Sequence, residues 1–248
     1  MLSFLGRGRG GGDAAVPSPS APSPDVPQPP PQQPPPPSSS TPAANDFSTA
    51  GEMEIVHLAT LEGHTDRVWC CAWEPHGRTL ATCSSDKTVR LWAPSRAAGG
   101  AWVTVAELEG VHNRTVRTVA WSPCGRMLAT ASFDASTAVW VQQGGEWECV
   151  AVVEGHENEV KGCAWSPSGT LLATCGRDKS VWIWEQQPGH DFECVSVLNG
   201  HTQDVKQVAW HPTEDVLVSV GYDNTIKVWE EDPNGDDWSC AQTVTGGA

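Results

Sequence analysis

The chain has 248 residues, a net charge of −15 and 39 % apolar residues. That acidity disfavours a nucleic-acid backbone as the main ligand, and no run of 18 apolar residues offers a membrane span. Thirteen of the 20 prolines lie between Pro17 and Pro42, which leaves about 200 residues for one packed domain.

Residues 1–50 are rich in Gly, Pro, Ser and Gln and cannot bury enough apolar surface to offset the entropy of folding, which predicts a disordered tail. Arg7 and Arg9 precede the first acid, Asp13, but no amphipathic Arg/Ser pattern of a targeting peptide follows. Pro34–Pro37 suits either an extended spacer or a ligand for SH3-type domains.

A repeat domain is expected over residues 51–248. Its first strand-like run is Glu54–Leu61, just ahead of Gly63-His64. From there a set of polar residues recurs four times at fixed offsets, over about residues 63–92, 110–140, 155–184 and 200–229. His64, His112, His156 and His201 are followed nine residues later by Trp73, Trp121, Trp165 and Trp210. Eighteen residues after each His stands Thr82, Thr130, Thr174 or Ser219; 22 after, Asp86, Asp134, Asp178 or Asp223; 28 after, Trp92, Trp140, Trp184 or Trp229. All variation in repeat length falls between the last Trp and the next His.

Within each repeat, short alternating runs such as Lys179–Trp184 fit half-buried strands. Trp121-Ser-Pro-Cys-Gly125 and Trp165-Ser-Pro-Ser-Gly169 carry Pro and Gly where a hairpin connection needs them. Each repeat thus predicts four antiparallel strands, a to d, beginning near Arg67, Thr115, Glu159 and Asp204. Turns then alternate between the two ends of the sheet, so His on the d–a loop and Asp on the b–c turn share an end. The strand-c indole can donate to the strand-b hydroxyl, the hydroxyl to the imidazole, and the imidazole N–H to the carboxylate. His, hydroxyl and Asp also suggest a catalytic triad, but a triad needs one activated hydroxyl beside an oxyanion site. Here the set is copied four times with a Trp donor on each hydroxyl, which argues for scaffold.

Among the nine cysteines, Cys71 and Cys163 share one repeat offset and Cys83 and Cys175 another, while Cys149, Cys194 and Cys240 share a strand-d pattern. No C-x-x-C pair occurs and the count is odd, so the expectation is core packing in a reducing compartment, with no metal, cofactor or disulfide. After strand d of the fourth repeat, Trp238–Val244, the chain reads Gly246-Gly247-Ala248 where Gly-His would be expected. Four repeats plus one strand without companions would leave an apolar sheet face on the fourth, which predicts a shortened form of a longer repeat protein.

A Gly-His start, a terminal Trp and this period resemble WD40 propeller blades. The fold expected from that resemblance is all-β: four complete blades plus an N-terminal latching strand, a partial, open β-propeller of a normally seven-bladed family. More narrowly, Thr115–Gly125, Ala131–Asp134, Glu154–Lys161, Arg177–Trp184 and His201–Lys206 look like the cytosolic iron-sulfur protein assembly WD-repeat family. The resemblance covers about residues 55–245. It implies a non-enzymatic scaffold of the cytosolic iron-sulfur targeting machinery, located in the cytoplasm and also the nucleus, that helps transfer clusters to apoproteins. Implied partners are an assembly factor carrying a reactive Cys, a helical-repeat adaptor and client apoproteins, with no nucleic acid, membrane or small-molecule substrate. A generic adaptor, such as a ubiquitin-ligase substrate receptor or a chromatin-associated scaffold, stays open beside it.

WD40 proteins generally recruit partners at the His/Asp end, through positions three and five after His and the one before Asp. The resemblance therefore implies a face containing Arg67, Trp69, Arg117, Phe133, Lys161, Arg177, Lys206 and Tyr222. Arg177 is the foremost candidate, because Arg and aromatic residues anchor interfaces and Arg177 is not needed for the polar network.

Overall fold

The computed structural model describes residues 55–232, 234 and 237–246. The tail expected to be disordered lies outside them, as does part of the acidic turn after Asp232. Each repeat forms one four-stranded antiparallel sheet with its strands in chain order. The first holds β1 (Val68–Trp73), β2 (Leu80–Ser84), β3 (Val89–Pro94) and β4 (Trp102–Leu108). The second holds β5 (Val116–Trp121), β6 (Met127–Ser132), β7 (Ser136–Gln143) and β8 (Glu146–Glu154). The third holds β9 (Val160–Trp165), β10 (Leu171–Gly176), β11 (Ser180–Gln187) and β12 (Asp191–Asn199). The fourth holds β13 (Val205–Trp210), β14 (Val216–Gly221), β15 (Thr225–Glu231) and β16 (Trp238–Thr245). Every sheet starts one residue later than the repeat spacing suggests.

First strands of neighbouring sheets pack closely while fourth strands barely meet, so the sheets are arranged as radial blades. The apolar core lies between blades. One cluster joins Leu91 and Val89 to Val116 and Leu128, a second joins Val139 and Val153 to Cys163 and Leu172, and a third joins Ile183 and Leu198 to Val208 and Leu217. Each fully buried Leu or Ile contributes roughly 1.5–3 kcal/mol of apolar burial.

Each seam also carries a polar bolt. The Trp nine residues after each His ends the first strand of its blade, and in the second, third and fourth blades it donates its indole N–H to a carbonyl of the preceding blade. These bonds run from Trp121 to Ala72 O (3.0 Å), Trp165 to Ala120 O (3.1 Å) and Trp210 to Ala164 O (3.0 Å). Trp73, at the same position in the first blade, makes no such bond among the described residues and is 53 % exposed. At the same end, an aromatic near the start of each fourth strand meets this Trp edge-on: Trp73–Trp102, Trp121–Trp147, Trp165–Phe192 and Trp210–Trp238, with centroids 5.4–5.9 Å apart.

Two expectations need correction. The run Glu54–Leu61, read as a latching strand, forms no ladder over its described residues. A fourth strand needs a third to pair with, and β3, β7, β11 and β15 are each taken by the fourth strand of their own sheet. Ile55 and Leu58 therefore stay 94 % and 89 % exposed, and Leu58 and Leu61 line only a shallow apolar hollow with Trp73, Leu80 and Trp102. Core packing of the cysteines holds for Cys83, Cys163 and Cys175, which are buried, but Cys71, Cys124, Cys194 and Cys240 are exposed. Cys163 lies against Ala129 of the preceding blade, whereas Cys71, at the same repeat position, belongs to the first blade described.

Candidate functional site

The d–a loops and b–c turns lie together at one end of the blades, and there the fourfold network is formed in every blade. In the first, His64 Nδ1 is 2.8 Å from Asp86 and Nε2 is 2.9 Å from Thr82, whose hydroxyl accepts the Trp92 indole N–H at 2.8 Å. In the second, His112 meets Asp134 at 3.2 Å and Thr130 at 2.8 Å, with Trp140 on Thr130 at 3.0 Å. In the third, His156 meets Asp178 at 2.7 Å and Thr174 at 2.9 Å, with Trp184 on Thr174 at 2.9 Å. In the fourth, His201 meets Asp223 at 2.9 Å and Ser219 at 2.7 Å, with Trp229 on Ser219 at 2.8 Å. Each c–d ladder has a register shift at this Trp, a bulge of the kind that re-aims a side chain toward a neighbouring strand.

The network reaches one residue further than the sequence reading placed it. Thr88, Ser136, Ser180 and Thr225 donate their hydroxyls to the other carboxylate oxygen of the same Asp at 2.6–2.8 Å. All four stand 24 residues after the repeat His, so a hydroxyl at constant offset was present in the sequence as a signal. The backbone N–H of the residue after each His also donates to the Asp, at 2.9–3.1 Å. Burial pushes these carboxyls upward, and the hydrogen bonds they accept outweigh it. Asp86, Asp134 and Asp223 sit well below the usual carboxylate range, and Asp178 is held at about 2.

Around this buried network, the eight residues implied by the resemblance fall into three groups, one over each seam. Over the first, Arg117 lies 5.1 Å and Arg67 6.0 Å from the ring of Trp69, whose indole donates to Ser85 at 2.6 Å. Over the second, Arg177 pairs with Glu159 at 3.3 Å, and Phe133 is flanked by Arg114 at 6.0 Å. Over the third, Lys161 pairs with Asp204, while Lys206 donates to the Tyr222 hydroxyl at 2.7 Å and stands 4.0 Å from its ring. Such cation–aromatic contacts contribute about 0.5–1 kcal/mol at exposed sites.

Not all eight project outward. The Arg177 side chain is 58 % exposed, whereas that of Lys161 is only 12 % exposed and already paired. Trp69 and Tyr222 are among the exposed large side chains. Arg114 was missed. It bridges blades by donating to Glu159 at 3.2 Å while also donating to Phe133 O of its own blade at 2.5 Å. At its offset the other repeats carry Asp66, Asn158 and Gln203, so no periodic signal marked it. Among the described residues no group of three or more His, Cys, Asp or Glu is placed to hold a metal ion, and no helix is long and apolar enough to cross a membrane.

The model of the WD domain, G-beta repeat matches residues 55–93, 102–140, 147–185 and 192–230, more than half of the chain. Curated relatives include the Probable cytosolic iron-sulfur protein assembly protein CIAO1 homolog of Chlamydomonas reinhardtii, 59 % identical over 41 % of this chain and 29 % of its own length. Protein CIA1 of Arabidopsis thaliana is 53 % identical over 42 % of this chain and 31 % of its own. The Probable cytosolic iron-sulfur protein assembly protein Ciao1 of Aedes aegypti is 55 % identical over 42 % and 30 %. The matched segment thus spans about three tenths of each of these relatives. The chain belongs to the WD domain, G-beta repeat family, and the cytosolic iron-sulfur protein assembly proteins are among its relatives there.

Proposed function

We propose that the chain is a non-catalytic protein-interaction scaffold of cytosolic iron-sulfur protein assembly, acting in the cytoplasm, and that partners bind its His/Asp end. The observation that carries the reading is identity above one half with relatives named for that assembly. Two features support the location. Exposed Trp69 and Tyr222 stand among Arg67, Arg117 and Lys206, which matches the aromatic and Arg enrichment of interface anchors. Cations gathered there on a chain of net charge −15 also suit an acidic partner surface.

A scaffold reading is favoured over catalysis because the hydroxyl at Nε2 of each repeat His already accepts an indole N–H, and the second hydroxyl near each His is engaged with the network Asp. An activated nucleophile would need that hydroxyl free to attack. The role in cluster transfer, the targeting-complex subunits and the apoprotein clients belong to this proposal, as does the extent of the repeat domain over residues 51–248. Affinity purification of the tagged chain, followed by mass spectrometry, tests it. Iron-sulfur assembly factors should be enriched, and Arg177→Glu should reduce their recovery without lowering thermal stability. Enrichment of ubiquitin-ligase or chromatin subunits instead would select the generic-adaptor reading, and unchanged recovery with Arg177→Glu would remove that residue from the face.

A further inference from the structure

Cys70 and Cys83 are directly opposed across the β1–β2 ladder. Both also pack in the apolar cluster between the first and second blades, Cys83 fully buried and Cys70 partly exposed. The repeat supplies a gauge for how close such a pair comes. Gly162 and Cys175 occupy the same positions in the third blade, opposed across β9–β10 beside the same kind of register shift. A Cβ at Gly162 would lie 2.9 Å from the Cys175 sulfur. A disulfide sets a sulfur about 3 Å from the far Cβ, so this pair of positions has the spacing of a bridge before any backbone moves. The second and fourth blades hold Thr118 with Ala131 and Gln207 with Val220 there. Among the described residues, the first blade alone places a thiol at both positions.

We propose that Cys70 and Cys83 form a redox-sensitive pair that closes to an intrablade disulfide on reaction with a small-molecule disulfide such as oxidised glutathione. This proposal is independent of the partner reading above. The Cys70 thiolate attacks one glutathione sulfur, forming a mixed disulfide as the glutathione S–S bond breaks and the second sulfur leaves as a thiolate that takes a proton from water. Cys83 then gives its proton to water, and its sulfur attacks the Cys70 sulfur, breaking the mixed bond and releasing the other glutathione as a thiolate that takes from water the proton Cys70 gave up on ionising. Overall the two cysteines lose two electrons and two protons, and these appear on two molecules of reduced glutathione.

The two thiols are suited to different steps. A hydrogen bond from Cys83, with help from backbone groups and the nearby Arg117 and against the opposing effect of burial, brings Cys70 down to about 6. It is therefore largely thiolate at neutral pH and open to a small oxidant. Burial raises Cys83 well above the usual thiol value, so it reacts only with a sulfur already delivered beside it. Reversible pairing of this kind is the usual form of disulfides in reducing compartments.

The test uses the folded full chain carrying Cys71→Ser, which removes the exposed thiol next to Cys70. The protein is exposed to oxidised glutathione at neutral pH, alkylated, digested without reductant and analysed by mass spectrometry. The expected product links the Cys70 and Cys83 peptides and is lost on adding dithiothreitol. Cys83→Ala should give a glutathione adduct at Cys70 instead, and Cys70→Ser should leave Cys83 unmodified. The proposal is overturned if the linked peptide is absent from oxidised protein, or if adducts at exposed Cys194 and Cys240 form while Cys70 stays free.

Discussion

At the residue scale, the repeat His holds a hydroxyl and a carboxylate at once, so its removal leaves one hydrogen bond of each unmade in a buried place. His156→Ala should destabilise the chain by about 1–3 kcal/mol, since each unmade bond of a buried group carries a desolvation penalty. Thermal unfolding should show this as a loss of roughly 2–4 °C per kcal/mol, with no esterase or protease activity to lose. The carboxylates give a second prediction. All four repeat Asp residues have folded-state pKa values below the unfolded value of about 3.9. Their stabilisation is fully present above that value and disappears as pH falls through the folded values. Chemical denaturation at stepwise lower pH should show stability falling steeply below about pH 4, and Asp178→Asn should flatten that fall. The His, hydroxyl, Asp and Trp positions were legible because each sits at a constant offset. The carboxylate-binding hydroxyls of Thr88, Ser136, Ser180 and Thr225 were equally periodic but were hidden by the Ser/Thr abundance of strand starts.

Among elements, the b–c turn places one non-glycine residue per blade in the left-handed region. These are Lys87, Ala135, Lys179 and Asn224, at φ of 73°, 74°, 73° and 60°. Each follows the network Asp, so the carboxylate bonds hold a backbone conformation costing about 1–2 kcal/mol in an ordinary residue. Ala135→Gly should relieve that strain and raise stability by up to about 1 kcal/mol after the added entropy of the unfolded chain, as measured by urea denaturation. Seam bolts give a contrast within one residue type. Trp165→Phe removes a bond to Ala120 O and should cost about 0.5–1.5 kcal/mol more than Trp73→Phe, because Trp73 has no bond of this kind to lose. The first-strand Trp was visible as a repeat position, but its carbonyl partner lies in another blade, and spacing within one repeat carries no information about the next. Of the edge-on aromatics, Trp147, Phe192 and Trp238 were visible two residues before Cys149, Cys194 and Cys240, but connections of unequal length leave no fixed offset to the His and no sign of the Trp they meet. The run Glu54–Leu61 was expected to latch the last blade of a closed ring, and over its described residues it forms no ladder because the third strand of each described blade is already paired with its own fourth.

For the molecule, the blades are joined through seams that combine an apolar cluster, an indole–carbonyl bond and a charged or aromatic contact on the His/Asp end. Stability in such an array is close to a sum of blade and seam contributions, so seam changes should propagate to neighbouring blades and loop changes should not. The seam-spanning charges also explain why the candidate face could be read only in part. Spacing placed Lys161 and Glu159 at one end, but Asp204 and Arg114, which pair with them across the seams, come from neighbouring repeats whose approach no single repeat encodes. Hydrogen–deuterium exchange of the chain, alone and with an iron-sulfur assembly factor captured by it, locates the partner-binding end. If partners bind the His/Asp end, binding slows exchange in the d–a loops and the b–c turns at residues 84–88, 132–136, 176–180 and 221–225. Slowed exchange confined to the opposite-end turns, around residues 122–126 and 166–170, would contradict it.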